Sequence, residues 1–372
     1  MRDHRMTGDE TVDRTLLVSI LILIAVGLIF VCSASYIFAE RRYGDGLYFF
    51  RRQVVFSLIG IAGMIAVGRI NYRRFSSLVV PGLIVAIVAL SAVFVPGIGT
   101  LSGGSRRWIN LHVASFQPSE LTKLVLVLYL AKTLDRKQND LHDFAWGVLP
   151  ACVVSGVLMA LVIFEPDFGT TVMIGSVLLV MLFMAGVRVR HLLVMLVMSI
   201  ISAGVVLFQE GYRKQRLLAF LDPWQHAQGS GFQIIQSLLA FQSGGIWGRG
   251  LGDGRQKLFF LPEAHTDFIL AVFAEEVGLV GMTLLIIIFA IVVWRGFVIS
   301  RIATDRFGSN LAIGIVTWIG LQTIINMAVV MGMLPTKGLP LPFISYGGTS
   351  LVISCIAVGI LLSVSRYGRR VG

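Results

Sequence analysis

Apolar stretches long enough to cross a membrane recur along most of the 372-residue chain. A hydrocarbon core about 30 Å thick is crossed by roughly 20 apolar residues in a helix. The pattern predicts ten such helices. They are expected at residues 15–35, 53–69, 77–96, 119–134, 144–164, 168–186, 190–208, 266–294, 310–331 and 344–364. We therefore expect an all-α, polytopic integral membrane protein, with residues 1–372 forming a single transmembrane domain.

Composition agrees with this class, because 56% of the residues are hydrophobic and only 14% are charged, against roughly 25% charged in a soluble domain. The three cysteines lie singly inside apolar stretches, so we interpret them as packing residues. The first apolar run lacks a small-residue cleavage site, and we interpret it as a retained first helix rather than a signal peptide.

The distribution of basic residues predicts which way the loops face. A formal net charge of +11 is also typical of nucleic-acid-binding proteins. Here, however, seventeen Lys and Arg residues lie in the termini and short loops of one side, against seven in the short loops of the other. Six more in the long loop 209–265 weaken the contrast. The positive-inside rule predicts that both termini are cytoplasmic, and we expect no nucleic-acid partner.

Five loops are then predicted to face outward, at residues 36–52, 97–118, 165–167, 209–265 and 332–343. The longest is too short and too rich in glycine to build a core of its own, so we expect it to pack on the helices. Its glycines fit neither a P-loop nor a dinucleotide fingerprint. They predict turns and close backbone approach, or a lid over a cavity.

An acidic residue, Asp267, stands where the long loop enters the eighth predicted helix. An ionisable group near the membrane surface indicates function. The alternative is structural, because Thr266 or Asp267 could cap the helix. His265, two residues earlier, is the histidine most closely associated with this position.

Two further clusters that contain acidic residues lie at the predicted outer side. Glu120 and Lys123 are three residues apart at the start of the fourth helix and share one face, which indicates either a structural ion pair or a polar cavity. Glu165 and Asp167 flank Pro166 in a tight turn, where Asp is also common for local hydrogen bonding alone.

Basic residues join these carboxylates on the same side. They are Arg106, Arg107, Arg213, Lys214, Arg216, Arg249, Arg255, Lys257 and Lys337. Such a set suits a lipid-linked phosphate or diphosphate. The sequence has no HExxH motif, paired histidines or cysteine cluster, so no tightly held transition metal is expected. Carboxylates could still share a loosely held Mg²⁺ or Mn²⁺ with a diphosphate.

Six motifs, in order along nearly the whole chain, resemble the SEDS family (shape, elongation, division and sporulation proteins). They are Arg107-Trp108-Ile109, residues 116–123 (FQPSELTK), residues 165–170 (EPDFGT), residues 229–233 (GSGFQ), residues 256–268 (QKLFFLPEAHTDF) and residues 334–348 (LPTKGLPLPFISYGG). The residues of the last two motifs are more similar to the cell-division branch of the family than to its elongation branch. Residues 111–114 and 241–242 depart from the family pattern, which affects the expected loop shape only.

The resemblance implies a ten-helix peptidoglycan glycosyltransferase that uses lipid II, the undecaprenyl-diphosphate-linked disaccharide-pentapeptide, as donor and acceptor. It implies a class B penicillin-binding protein and other division proteins as partners, at the septum of the cytoplasmic membrane. Asp267 would be the catalytic residue. Residues that would line or support the substrate cavity are Glu120, Lys123, Asp167, Arg213, Arg216 and Lys337, and we add Arg107, Lys257 and His265 as substrate-binding candidates.

Glycosyl transfer from a lipid diphosphate needs a base for the acceptor hydroxyl and cations for the leaving group. We expect Asp267 to be that base in a single displacement with inversion. The alternatives are a lipid II flippase or other transporter, an elongation-type polymerase, and a scaffold without activity. A transporter would place its essential polar residues at mid-membrane or cytoplasmic depth, whereas here they gather at the outer side.

Overall fold

The computed structural model describes residues 12–102, 105–110, 115–209, 211–229, 231–255, 264–336 and 338–367. Within these residues the chain forms twelve α-helices. They are α1 (Arg14–Tyr43), α2 (Tyr48–Gly68), α3 (Val79–Ala92), α4 (Pro118–Arg136), α5 (Leu149–Phe164), α6 (Phe168–Met184), α7 (Val189–Gln209), α8 (Gly211–Leu221), α9 (Phe232–Gly244), α10 (Ile269–Ile302), α11 (Arg306–Val330) and α12 (Gly348–Tyr367).

Ten of these helices correspond to the ten predicted spans, so the predicted fold class is confirmed. Seven segments of the part of the chain that the structure describes are long and apolar enough to cross a membrane. They are α1, α2, α10, α11, α12, and α3 and α5 each with the short helical turn before it. Two shorter apolar segments are α6 and the stretch Val189–Val205 of α7. The tenth, α4, carries Glu120, Lys123 and further charged residues, and most of its side chains are buried between its neighbours.

The main differences from prediction lie near the predicted outer end. Helix α1 continues to Tyr43, well beyond residue 35. The region 209–265, interpreted as a loop, contains α8 and α9. Neither was visible as a span, because α8 mixes basic and apolar residues and α9 is only 13 residues long.

A small antiparallel sheet, absent from the prediction, forms in the second of the loops predicted to face outward. Its strands are β1 (Gly99–Ser102), β2 (Ser105–Asn110) and β3 (Ser115–Phe116), in the order β1-β2-β3. Thr100 pairs with Trp108, and Ile109 pairs with Phe116. The strands are too short to show alternation in the sequence, yet they position Arg107 on β2.

The centre of the bundle is formed by α11 and α12, whose residues are mostly buried. Small residues let α12 approach α2 closely: a Cβ at Gly359 would lie 2.6 Å from the backbone oxygen of Met64. Such contacts are typical of helices packed in a membrane. Similarly, Gly27 of α1 lies against the backbone of Phe343, before α12.

Candidate active site

Asp267 lies in a turn directly before α10 and is half-buried. The N-cap position of α10 is taken by Phe268, so neither Thr266 nor Asp267 is the capping residue. The backbone oxygen of Asp267 accepts a hydrogen bond from Nδ2 of Asn326 on α11, at 2.9 Å. A Cβ at Gly338 would lie 2.9 Å from Oδ2 of Asp267. The carboxylate therefore lies beside the segment that leads to α12.

His265 packs into a group of aromatic rings. Its ring centroid is 4.6 Å from that of Phe49, 5.5 Å from that of Phe38 and 5.8 Å from that of Tyr346. Its backbone oxygen accepts a hydrogen bond from the backbone N–H of Tyr346 at 2.9 Å. His265 thus joins the turn of Asp267 to α1, to α2 and to the segment before α12.

Glu120 and Lys123 form the i,i+3 ion pair that their spacing predicts, with 2.8 Å between Nζ and Oε1. Their side chains are only 2% and 3% exposed. Nζ also donates to Oε1 of Gln322 at 2.8 Å and lies 5.2 Å from the ring centroid of Trp318. The pair therefore faces the helical interior between α4 and α11.

The turn between α5 and α6 holds two carboxylates in different environments. Asp167 caps α6, because its Oδ1 accepts from the backbone N–H of Thr170 at 3.1 Å and its Oδ2 from the Thr170 hydroxyl at 2.8 Å. Glu165 is fully buried, and its carboxylate oxygens have no hydrogen-bond partner among the described residues. Burial raises the pKa of Glu165 to about 8, with the charge of Asp167 adding to the rise and that of Arg107 opposing it.

Arg107 ties the small sheet to this turn. Its Nε donates to the backbone oxygen of Glu165 at 3.1 Å, and Nη2 donates to the backbone oxygen of Pro166. The sheet and the turn are therefore held together by the guanidinium group of Arg107, whose positive charge also acts on the buried carboxyl of Glu165.

The other basic candidates are distributed over the second half of the chain. Arg216 lies exposed on α8. Arg213 lies on the same helix, and its side chain is outside what the structure describes. Lys257 and Lys337 lie outside the described residues.

The glycine-rich segment after α9 lies against an interruption in α10. At Gly278 the backbone leaves the helical conformation, with φ 64° and ψ −165°. The backbone oxygens of Glu275 and Glu276 accept hydrogen bonds from the backbone N–H groups of Arg249 and Gly250, respectively, both at 3.0 Å. In return, the N–H groups of Leu279 and Val280 donate to the oxygens of Gly245 and Ile246, at 2.9 and 3.1 Å. The predicted close backbone approach is present at this interruption.

Polar residues that the sequence analysis did not single out also lie inside α10 and α11. The carboxylate of Glu275 accepts from the backbone N–H of Arg255 at 2.9 Å, and that of Glu276 from the hydroxyl of Ser33 at 2.6 Å. On α11 the buried amides are Gln322 and Asn326. Only their position inside otherwise apolar helices could have drawn attention to them.

These features define a polytopic α-helical membrane protein with a polar site at one end of its bundle. The chain matches the model of the FtsW, RodA and SpoVE family, described as cell cycle protein, over residues 14–370, and it belongs to this family. The resemblance inferred from the motifs is confirmed.

Two curated relatives show the same family membership. The probable peptidoglycan glycosyltransferase FtsW of Geobacter metallireducens is 46% identical over 356 residues, which cover 96% of this chain and 95% of that protein. Stage V sporulation protein E of Bacillus subtilis is 41% identical over 369 residues, 98% of this chain and 100% of that protein.

Among solved structures, a chain from a peptidoglycan synthase complex that coordinates polymerization and crosslinking is similar with a TM-score of 0.79 and 27% identity, covering 96% of this chain and 98% of that one. The rod shape determining protein RodA of Thermus thermophilus has a TM-score of 0.72 and 25% identity, covering 96% and 97%.

Proposed function

We propose that this protein is a peptidoglycan glycosyltransferase that polymerises lipid II on the outer face of the cytoplasmic membrane during septal wall synthesis. Its family and its relatives named peptidoglycan glycosyltransferase support this. The structural observation that carries the proposal is the position of Asp267. Its carboxylate lies directly before the start of α10, half-buried against Gly338. The loops that carry the basic candidates are predicted from the sequence to face the same side of the membrane.

In this mechanism Asp267 accepts the proton of an acceptor sugar hydroxyl. The hydroxyl oxygen bonds to the anomeric carbon of the donor sugar, while the bond from that carbon to the diphosphate breaks and the diphosphate leaves with the electron pair. A single carboxylate base favours inversion at that carbon. A positioned base contributes about 10²- to 10⁴-fold to the rate. The outer Arg and Lys residues would stabilise the negative charge on the diphosphate.

A divalent cation fits this site only when it is bound together with the diphosphate of the substrate. Among the residues that the structure describes, no group of three or more His, Cys, Asp or Glu side chains could hold a metal ion. Mg²⁺, however, is commonly bound by one or two carboxylates together with substrate phosphates. Asp267 would be the protein ligand, and the ion would supply further charge neutralisation for the departing diphosphate.

The decisive experiment is polymerisation of purified lipid II by the detergent-purified protein, with and without its class B penicillin-binding partner. We expect glycan chains from the wild type and none from Asp267→Asn, with an unchanged thermal midpoint. Asp253→Asn, which alters an exposed acidic residue, is the matched control and should remain active. Polymer from Asp267→Asn would reject its role as the base, and a covalent sugar adduct on Asp267 would reject the single displacement.

Partner and location are part of the same proposal. The similar chain from a peptidoglycan synthase complex supports a partner that cross-links the product, and the charge pattern supports cytoplasmic termini. A C-terminal fluorescent fusion should be bright and concentrated at the septum. A C-terminal phosphatase fusion should be inactive, because that enzyme needs the oxidising outer compartment.

The flippase alternative draws on the buried acids Glu275 and Glu276 within α10. Liposomes that contain lipid II only in the inner leaflet distinguish the flippase from the glycosyltransferase. A flippase would bring lipid II to the outer leaflet without forming glycan chains, whereas the glycosyltransferase would form glycan chains. An elongation-type role would instead place the fluorescent fusion along the side wall.

A further inference from the structure

Two amide side chains, Gln322 and Asn326, lie one turn apart on α11, and they are 0% and 2% exposed. A buried amide is costly unless its hydrogen bonds are made. The neighbouring hydroxyl of Thr323 donates to the backbone of its own helix, at Ile319. The two amides instead donate across to the segment before α12.

The amide of Asn326 joins two parts of the chain that are distant in sequence. Its Nδ2 donates to the backbone oxygen of Asp267 at 2.9 Å and to that of Leu339 at 2.7 Å. Nδ2 carries two protons, so both bonds can be made at once. The backbone of Asp267 is therefore held at a set distance from the backbone of Leu339.

This connection determines what lies beside the carboxylate. Gly338 directly precedes Leu339, and a Cβ at Gly338 would lie only 2.9 Å from Oδ2 of Asp267. A shift of either backbone would thus change the space around the carboxylate. A misplacement of about 1 Å in a reacting group can lower a rate about 10²-fold.

Gln322 holds the next carbonyl of the same segment. Its Nε2 donates to the backbone oxygen of Pro340 at 2.8 Å. Its Oε1 accepts from Nζ of Lys123 and from Nε1 of Trp318, both at 2.8 Å. Because Lys and Trp offer only donors here, they fix the amide with its oxygen toward α4 and its nitrogen toward Pro340.

We infer that Asn326 is a positioning residue for Asp267, and that Gln322, oriented by Lys123, anchors the same segment. The inference rests on the proposed function, because it assigns Asp267 as the base. It also gives the buried Glu120–Lys123 pair a specific task, which is to orient the Gln322 amide.

The test compares purified Asn326→Leu, Asn326→Gln and Thr323→Val with the wild type. We expect Asn326→Leu to lower kcat for lipid II polymerisation about 100-fold, with KM within a few-fold of wild type. Asn326→Gln keeps a donor but displaces it, and should retain the wild-type thermal midpoint while losing about 10-fold in kcat. Thr323→Val, which alters a buried polar residue of the same helix, should leave kcat unchanged.

Hydrogen exchange of the backbone around residues 338–347 supplies a second measurement. It should increase in Asn326→Leu and stay at the wild-type level in Thr323→Val. Wild-type kcat in Asn326→Gln, or unchanged exchange in Asn326→Leu, would overturn the inference while leaving the proposed function intact. A wild-type protein that makes no polymer, even with its partner, would instead overturn the proposed function and the base that Asn326 is inferred to position.

Discussion

Gly248 and Gly278 meet backbone to backbone where α10 is interrupted. A Cβ at Gly278 would lie 2.3 Å from the backbone nitrogen of Gly248, and a Cβ at Gly248 would lie 2.2 Å from the backbone oxygen of Glu276. Both glycines have positive φ, 78° and 64°. Backbone groups freed inside a membrane helix must find other partners. The glycine-rich segment supplies them, and so fixes the half of α10 that follows Asp267.

Substituting either glycine should destabilise the protein. In Gly278→Ala and Gly248→Ala an alanine must adopt a positive-φ backbone conformation, which costs about 1 to 3 kcal/mol before the steric clash of its Cβ is added. We expect lower thermal midpoints in detergent for both. Gly156→Ala is the matched control, because Gly156 lies on α5 and, apart from the local backbone of that helix, no described atom lies within 4 Å of the new Cβ. Midpoints equal to that of Gly156→Ala would show that the close approach is not required.

Removing one member of the buried ion pair should cost more than removing both. Lys123→Met leaves the carboxylate of Glu120 buried without its cation, which typically costs about 3 to 5 kcal/mol. The double variant Lys123→Met, Glu120→Gln removes both charges and should recover most of that loss. Thermal unfolding of the two single variants and the double variant measures the coupling. Additive effects would argue against a direct interaction.

The buried carboxyl of Glu165 should make stability depend on pH. Its pKa is raised to about 8 from an ordinary value of 4.5. Between these values the unfolded chain releases a proton that the folded protein keeps, so stability should fall as pH rises and level off above about 8. Glu165→Gln should flatten this part of a thermal midpoint profile between pH 5 and 9, whereas Asp253→Asn should not. Parallel profiles for Glu165→Gln and the wild type would contradict the assignment.

Asp13, directly before α1, both caps that helix and pairs with Arg295, and two substitutions can separate these contributions to stability. Oδ1 of Asp13 accepts from the backbone N–H of Leu16 at 2.9 Å, while Oδ2 accepts from Nε of Arg295 at 3.0 Å. Asp13→Asn keeps a capping oxygen and loses the charge, whereas Asp13→Ala loses both. We expect Asp13→Ala to be less stable than Asp13→Asn by about 1 kcal/mol. Equal thermal midpoints would mean that the cap contributes nothing.

Much of the architecture follows from local properties of the chain. The apolar pattern located ten of the twelve helices that the described residues form, since a long apolar run has few alternatives to a membrane helix. The spacing of Glu120 and Lys123 predicted their contact, because residues three apart share a helix face. The helices α8 and α9 and the three strands were missed, because short or mixed segments carry little periodic signal.

The sequence alone therefore determined the class of protein, the positions of ten helices, the family and the place of Asp267 at the start of a helix. Only the tertiary structure decided that Asn326 joins Asp267 to Leu339, that Gly248 fills the interruption at Gly278, and that Arg107 holds the turn of Glu165. The physical reason is range. Hydropathy and helix periodicity act between residues close in sequence, whereas these contacts join backbone and side-chain groups that only packing brings together.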